Sequence, residues 1–343
     1  SSDNDGYIRF NADNTISTRI GTPSSHLYTT NRTFEDTTKW YHIVLSVNTN
    51  ESTADDRVKL YVDGDLITSY SSRTNPSGGD NTQFNYSSAT FRVGSTTNGN
   101  YDYDGYIAEF NLVDGSALTP STFGLTDTST GRWIPKALTG ITYGTNGHRL
   151  EFANSAGQTI GDDTSGNTND FTVSGLATTD IVTDSPTQNH ATFDPNFSSS
   201  SVILSEGNLT VKDNASNNYE NFVVGMPVQN GKWYFEITVD NNPNFYFIGV
   251  NNVSSISANK NQYPGYADGS ASFLFHTTSD SIYYGGANYI NAGSATTLSN
   301  GDKVGVAYDA DTGAFWVAKN NSWLYSGNPS TGANPLFSGI TSK

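Results

Sequence analysis

The chain contains no cysteine and only one methionine among its 343 residues. Without cysteine it has no disulfide framework, no thiolate nucleophile and no thiolate ligands for a structural zinc ion. Secreted eukaryotic domains often carry disulfides. The lack of cysteine therefore favours a bacterial or viral product that does not need them.

Basic residues are also few, since 17 Lys and Arg stand against 33 Asp and Glu, giving a net charge of −16. Nucleic acid is not an expected partner, because the chain has no basic patch to neutralise phosphates. The acidity is expected to keep the protein soluble at high concentration.

Long apolar runs and helix-forming residues are missing as well. No run approaches the roughly 20 apolar residues that span a bilayer, so we expect no membrane insertion. The first residues, SSDNDGYIRF, lack the basic region and apolar core of a signal peptide and do not begin with Met. We therefore expect the sequence to be part of a longer polypeptide. Ser, Thr, Asn, Gly and Tyr dominate, which predicts strands and turns.

Alternating apolar and polar residues predict antiparallel strands in the first half. Residues 41–47 and 57–62 alternate in this way, and the second segment runs into Asp63-Gly64, a dipeptide that favours a tight hairpin. Residues 106–113 alternate again before Asp114-Gly115. Strands at this spacing, with no helical period between them, indicate a β-sandwich.

The order WYHIVLSVNT, RVKLYVDGDLITSY, YDGYIAEFNLVDG resembles that of laminin G-like domains of the concanavalin A-like class. The resemblance covers residues 7–125 and implies a first domain over 1–125 whose initial strands are missing. Residues 103–136 resemble the closing strand and exit loop of such domains in bacteriophage tail and surface proteins. Trp133 in that loop is predicted to anchor the connector that follows.

Residues 126–198 form the predicted connector, which is rich in Thr, Asn, Asp and Gly and has strand-forming segments that either sandwich could use. Beyond it, GKWYFEITVD, then FIGVNN, then GDKVGVAYDADTGAFWVAKNNSW resembles the SPRY (B30.2) domain over residues 199–343. This resemblance implies a second sandwich that lacks its last strand. The predicted fold is all-β, with two tandem concanavalin A-like antiparallel β-sandwiches (jelly rolls).

No catalytic constellation is recognisable. Concanavalin-like glucanases place carboxylates on alternate residues of one strand as E-x-D-x-x-E, and this motif does not occur. Glu109 and Glu236 each stand alone in a predicted strand. The five His residues lack metal-ligand spacing, and there is no G-x-S-x-G elbow. We therefore predict that the protein is not an enzyme.

One loop, DDTSGNTND, is a candidate calcium site. Calcium prefers oxygen ligands, and a flexible loop can supply several of them. The alternative is that these residues form turns and bind their own backbone. The candidate ligands are Asp162, Asp163, Asn167, Asn169 and Asp170. No cofactor other than calcium is indicated.

Glycan binding is the predicted activity, because aromatic rings can stack on sugar faces and the loops are rich in tyrosine. The alternative for each tyrosine is that its ring packs in the structure and its hydroxyl stays in water. In SPRY domains the binding loops lie at one end of the sandwich, here residues 254–269. The candidate residues are Tyr86, Tyr101, Tyr103, Tyr263, Tyr266, Tyr283, Tyr284 and Tyr289.

Three functions compete. The phage resemblance favours a non-enzymatic virion surface protein, such as a tail fibre, tailspike or capsid-surface appendage. It would bind a host-surface polysaccharide or other virion subunits, most simply as a homo-oligomer. The second candidate is a bacterial extracellular adhesin or filament subunit on the cell surface. The third, a glycan-degrading enzyme, is disfavoured by the lack of paired carboxylates.

Overall fold

The computed structural model of the protein is an all-β structure, as the sequence predicts. No α-helix occurs in its described residues, where short 3-10 turns connect the strands, and no helix there is long and apolar enough to cross a bilayer. The described residues are 6–21, 26–84, 90–96, 101–128, 131–153, 157–197, 201–213, 222–241, 245–252, 263, 265–266, 269–276, 278–285, 288–293 and 296–340.

The chain divides into two compact units, unit 1 (Ser1–His190) and unit 2 (Ala191–Lys343). The short strands within residues 126–190 pair inside unit 1. The finer division predicted from the sequence, with domains over 1–125 and 199–343 and a connector over 126–198, stays a prediction.

The described residues of unit 1 form eleven short strands. They are β1 (Tyr7–Phe10), β2 (Thr15–Arg19), β3 (Leu27–Thr33), β4 (Ile43–Val47), β5 (Val58–Val62), β6 (Asp65–Leu66), β7 (Tyr70–Arg73), β8 (Phe110–Leu112), β9 (Gly124–Thr126), β10 (Trp133–Pro135) and β11 (His148–Leu150). They form a four-stranded sheet β1-β2-β3-β7, a three-stranded sheet β4-β5-β6 and two hairpin-like pairs, β8-β11 and β9-β10.

The two larger sheets of unit 1 share a core that the alternation predicts. Val58, Leu60 and Val62 of β5 are buried, while the residues between them are half exposed. Ile16 of β2 packs in the same cluster as Leu60 and Val62. Asp63 and Gly64 have φ angles of 53° and 87°, so the Asp-Gly hairpin between β5 and β6 is confirmed.

The strand predicted over residues 106–113 is wrong over its first half. The observed strand β8 includes only Phe110–Leu112 and pairs with β11. Glu109, just before it, has a φ of +53°, a conformation that ends an extended strand. In the predicted strand, Tyr106 and Ile107 would face opposite sides and one of them would face the core. In the structure both side chains are exposed.

A buried histidine lies beside β8. The ring of His148 is surrounded by those of Phe91, Phe110 and Phe171, with centroids 5.1, 5.7 and 4.9 Å away. Burial among these rings lowers the pKa of His148, and the Asp163 carboxylate offsets this only in part. The folded protein therefore holds this imidazole neutral where an exposed histidine would be charged.

The burial of His148 among aromatic rings predicts that unit 1 loses stability in acid. As the pH falls below about 6.5, the unfolded chain gains a proton at His148 that the folded chain does not yet bind, so stability is lost. The loss should continue until the pH passes the lower folded pKa. Urea unfolding at pH 7.5 and 5.0 measures it, and His148→Phe is expected to reduce the difference. His190→Phe, at an exposed site of the same unit, should leave it unchanged.

Ten strands lie in the part of unit 2 that the structure describes. They are β12 (Val202–Ser205), β13 (Thr210–Asp213), β14 (Lys232–Thr238), β15 (Phe245–Val250), β16 (Ala271–His276), β17 (Ser281–Tyr284), β18 (Asn288–Asn291), β19 (Lys303–Asp309), β20 (Ala314–Lys319) and β21 (Ser322–Trp323). The strands form two four-stranded antiparallel sheets, β14-β19-β20-β21 and β15-β16-β17-β18, and a separate two-stranded sheet, β12-β13.

The core of unit 2 lies between its two four-stranded sheets. Val304 and Val306 of β19 and Phe315 of β20 pack in one cluster with Phe273 of β16 and Ile282 of β17. Val304, Val306 and Tyr308 of β19 belong to this cluster, whereas Ala307 is buried in a second cluster with Ala314 and Trp316. Unit 2 is therefore a β-sandwich.

Candidate functional site

Unit 1 contains an open cleft of about 3150 Å³. Strands β1, β4, β8 and β10 contribute to its walls, together with residues 90–96 and 101–109. Such a volume exceeds the roughly 300–1,000 Å³ of ordinary small-molecule pockets. The cleft could accept an extended ligand.

Aromatic side chains line part of this cleft. Tyr101 is 69% exposed, Tyr103 42% and Tyr106 44%, and the ring of Phe10 lies 6.1 Å from that of Tyr103. Partial burial, with the Asp104 carboxylate nearby, raises the pKa of Tyr103, so its phenol stays neutral at physiological pH. We call these four side chains, Phe10, Tyr101, Tyr103 and Tyr106, the aromatic rim.

Two members of the aromatic rim, Tyr101 and Tyr103, were predicted as glycan-binding residues. Phe10 and Tyr106 were missed because each lies in a segment that alternation assigns to a strand. Such a segment gives no sign that its aromatic side chain stays exposed. Tyr86, the third candidate in this half, lies outside the described residues.

Basic side chains lie on the same cleft. The guanidinium groups of Arg9 and Arg19 lie 5.0 and 5.1 Å from the ring centre of Tyr7. Arg9 Nε also donates to Asn11 Oδ1 at 2.9 Å. These contacts fix Arg9 on the cleft, where a guanidinium can donate hydrogen bonds to ligand oxygens.

Two glutamates reach the cleft, and an arginine links them. Arg149 Nη2 lies 3.1 Å from Glu109 Oε2 and 2.7 Å from Glu151 Oε1. Glu109, predicted to stand alone in a strand, is thus part of an ion-pair network. Both glutamates therefore have the same arginine as their ion-pair partner.

Trp133 anchors the strand β10 at the cleft wall. Its ring stacks on His42 with centroids 5.5 Å apart, and burial lowers the pKa of this histidine. The indole also lies directly on the backbone of Gly64 and Gly124, where added Cβ atoms would come within 2.5 and 2.6 Å of it. Only glycine permits this close approach. The predicted anchoring role of Trp133 agrees with this packing.

The candidate calcium loop is organised around Asp163. Its Oδ1 accepts hydrogen bonds from the backbone N–H groups of Arg149 (2.8 Å) and Ser165 (2.9 Å), and its Oδ2 accepts from Ser165 Oγ and Asn169 N at 2.9 Å each. Burial raises the pKa of Asp163, but these four hydrogen bonds outweigh that effect, and the net pKa is lowered.

The other four predicted ligands also bond within the protein. Asp162 binds Thr159, Asp170 binds the backbone N–H of Asp163, and the amides of Asn167 and Asn169 both donate to Gly147 O at 2.9 Å. Among the described residues, no group of three or more His, Asp or Glu side chains is placed to hold a metal ion. Calcium here stays a prediction, which thermal unfolding with and without added Ca²⁺ tests.

In unit 2 the structure brings together three of the predicted tyrosines. Tyr263 lies 4.8 Å from Tyr283 and 5.7 Å from Tyr266 between ring centres, and it stacks on Phe247 at 5.0 Å. We call these four side chains the tyrosine cluster. Tyr266 is its exposed member, at 39%. Residues 254–262 of the predicted binding loop lie outside the described residues.

The remaining two candidates do not join the tyrosine cluster in the described structure. Tyr284 follows Tyr283 in β17 and faces the opposite side of the sheet, where it stacks on Phe337 at 4.6 Å and packs against the core. Tyr289 belongs to β18, but its side chain lies outside the described part.

Comparison with known protein families found a match to part of unit 1. Residues 1–122 match the family model of the concanavalin A-like lectin/glucanases superfamily in its laminin G form. This range contains the aromatic rim, β1 to β8 and Glu109, but neither Trp133 nor the candidate calcium loop. No curated protein matches the chain.

Proposed function

We propose that the protein is a non-enzymatic carbohydrate-binding protein whose unit 1 cleft binds a polysaccharide chain. The observation that carries this proposal is the aromatic rim. It borders an open cleft, and its four residues lie within the range that matches a lectin-containing superfamily. Exposed tyrosine rings offer flat apolar faces to sugars, while Arg9 and the tyrosine hydroxyls offer hydrogen bonds.

The open geometry predicts weak binding at each site. An open cleft leaves much of a ligand in water, and a flexible glycan loses conformational freedom when it binds. Tight attachment would then require several copies on one polysaccharide. The tyrosine cluster of unit 2 gives each chain a second aromatic surface for such multivalent contact.

The superfamily leaves room for both binding and catalysis. Its name covers lectins and glucanases, and laminin G-like domains are typically binding modules. The Glu109–Arg149–Glu151 network supports the binding function, because its guanidinium pairs with both glutamates of the cleft. Loss of polysaccharide during incubation with the protein would contradict this assignment.

At the finer level, we propose a virion surface protein, and a bacterial extracellular adhesin is the alternative. The resemblance of residues 103–136 to phage tail and surface domains supports the first, and so does the SPRY-like order of residues 199–343. A phage assembly domain in the same reading frame would support the virion. A secretion signal or a wall anchor would instead identify a cell-surface protein.

Replacing Tyr101 with alanine tests the aromatic rim. We expect about a tenfold loss of affinity for a bound polysaccharide, because an aromatic platform contributes on the order of 1–2 kcal/mol. Tyr101→Phe keeps the ring and is expected to retain most of the affinity. The measurement is a glycan array with the full chain, followed by titration of any glycan that binds.

Two results would contradict the proposal. One is silence of the wild-type protein on glycan arrays even when it is presented in many copies. The other is binding that Tyr101→Ala, Tyr103→Ala and Arg9→Ala all leave unchanged. Because Tyr101 is largely exposed, its replacement should leave the fold intact, and an unchanged unfolding curve verifies this.

A further inference from the structure

Strand β14 of unit 2 is a long sheet edge. It pairs with β19 on one side, and no other strand in the described part of the chain pairs with it. Trp233 and Tyr234 on it are 44% and 52% exposed. Exposed apolar edges of this length readily pair with another chain.

Backbone hydrogen bonds just before and just after β14 establish which of its backbone groups point away from β19. Val239 N donates to Asp302 O, and Gly231 O accepts from Ala310 N, so odd-numbered residues of this strand direct their backbone groups toward β19. By alternation, the N–H and C=O groups of Lys232, Tyr234 and Glu236 point outward. The unpaired edge thus has three consecutive outward positions for a new strand.

We propose that a second copy of this chain pairs with β14 antiparallel, about a two-fold axis at Tyr234. In this register Tyr234 lies opposite Tyr234 of the second copy, and Lys232 lies opposite Glu236. Each directly opposite pair of outward residues exchanges two backbone hydrogen bonds, about six in all. The β14-β19-β20-β21 sheet of one copy would then join the same sheet of the other copy into one continuous sheet.

Charge complementarity selects this partner and this register. On one face of the sheet, Lys232 of each copy meets Glu236 of the other, giving two opposite-charge cross-strand pairs. A shift of the axis by one residue, to Phe235, would place Glu236 opposite Tyr234 and leave both charges unpaired. The sequence Lys-Trp-Tyr-Phe-Glu is therefore self-complementary in one antiparallel register.

The aromatic residues support the same arrangement. On the other face, Trp233 of each copy lies opposite Phe235 of the other, and aromatic cross-strand pairs stabilise antiparallel sheets. Tyr234 is already positioned, since its hydroxyl donates to Glu236 Oε1 at 2.6 Å and its ring covers the Cα of Gly305. The ring therefore lies along the sheet instead of projecting across the edge.

Such a two-fold pairing is isologous, because the same surface of each copy meets itself. It would give the proposed carbohydrate-binding protein two copies of each binding surface, which strengthens attachment to a repeating polysaccharide. The pairing itself does not depend on sugar binding and can be measured without any glycan.

Charge reversal in the full chain tests the pairing. Wild-type protein is expected to show a concentration-dependent monomer–dimer equilibrium in sedimentation analysis. Lys232→Glu and Glu236→Lys each place like charges opposite one another and should weaken the dimer roughly tenfold. An equimolar mixture of the two variants restores opposite charges and should form a heterodimer. The double variant should again form a homodimer.

A control separates charge pairing from loss of the hydrogen bond between Tyr234 and Glu236. Tyr234→Phe removes that bond without changing any charge, and it should still dimerise. Circular dichroism and unfolding curves verify that each variant folds. A wild-type monomer at all concentrations, a trimer, or a dimer that neither reversal weakens would overturn the proposal. So would failure of the mixed variants to associate.

Discussion

Replacing Trp133 with alanine is expected to lower the free energy of unfolding of unit 1 by about 3 kcal/mol, the usual cost of deleting a large packed aromatic side chain. The indole covers the backbone of Gly64 and Gly124 and stacks on His42. Its removal would expose these groups and free β10. Urea unfolding of the full chain, with hydrogen exchange to assign the affected unit, measures the loss.

A glycine variant checks the same contact from the opposite side. In Gly64→Ala the new Cβ would lie 2.5 Å from the Trp133 ring, at a φ of +87°, so packing and backbone are both disturbed. Gly131→Ala is the matched control, since its φ is also positive but no atom lies within 4 Å of its Cβ. If both variants lose the same free energy of unfolding, the contact between Trp133 and Gly64 does not contribute to the stability of unit 1.

Replacing Phe273 with alanine is expected to destabilise unit 2 by about 3–5 kcal/mol. Phe273 is fully buried in the core between the two sheets, with the ring of Phe275 4.8 Å away. The cavity left behind has walls from both sheets, which hydrogen bonding within each sheet prevents from collapsing. This loss of stability should appear as faster amide hydrogen exchange in the strands of unit 2.

Ile290→Ala provides the control in the same sheet as Phe273. Ile290 is 46% exposed in β18, so its truncation should change stability by less than about 0.5 kcal/mol. Equal losses in the two variants would mean that the core of unit 2 does not lie where its buried residues place it.

The strands that could be predicted from the sequence are those whose periodicity agrees with their burial. β5 alternates in sequence and in burial, and Asp63-Gly64 forms the hairpin its residue types favour. In β19, Val306 and Tyr308 join one buried cluster and Ala307 joins another. The strand over 106–113 failed because its apolar alternation does not reveal the left-handed conformation of Glu109. Backbone conformation at a single non-glycine residue overrides a pattern of this kind.

The candidate site could be predicted only in part, because it is assembled from distant segments. Tyr101 and Tyr103 are conspicuous loop tyrosines, but Phe10, which contacts Tyr103, is about ninety residues away in sequence and reads as an ordinary strand residue. Arg149 joins Glu109 and Glu151, and only tertiary structure brings Glu109 to that arginine. Residue type predicts the chemistry of such a site, whereas the fold determines which side chains meet.

The width of the unit 1 cleft has a kinetic consequence. A wide, open groove gives a repeating chain many equivalent places to lie, so a segment that leaves is followed at once by its neighbour. The observed dissociation rate should therefore fall as the oligosaccharide is lengthened, while the intrinsic rate for a single repeat stays the same. Residence time on the surface would depend on the length of the polymer as well as on its chemical identity.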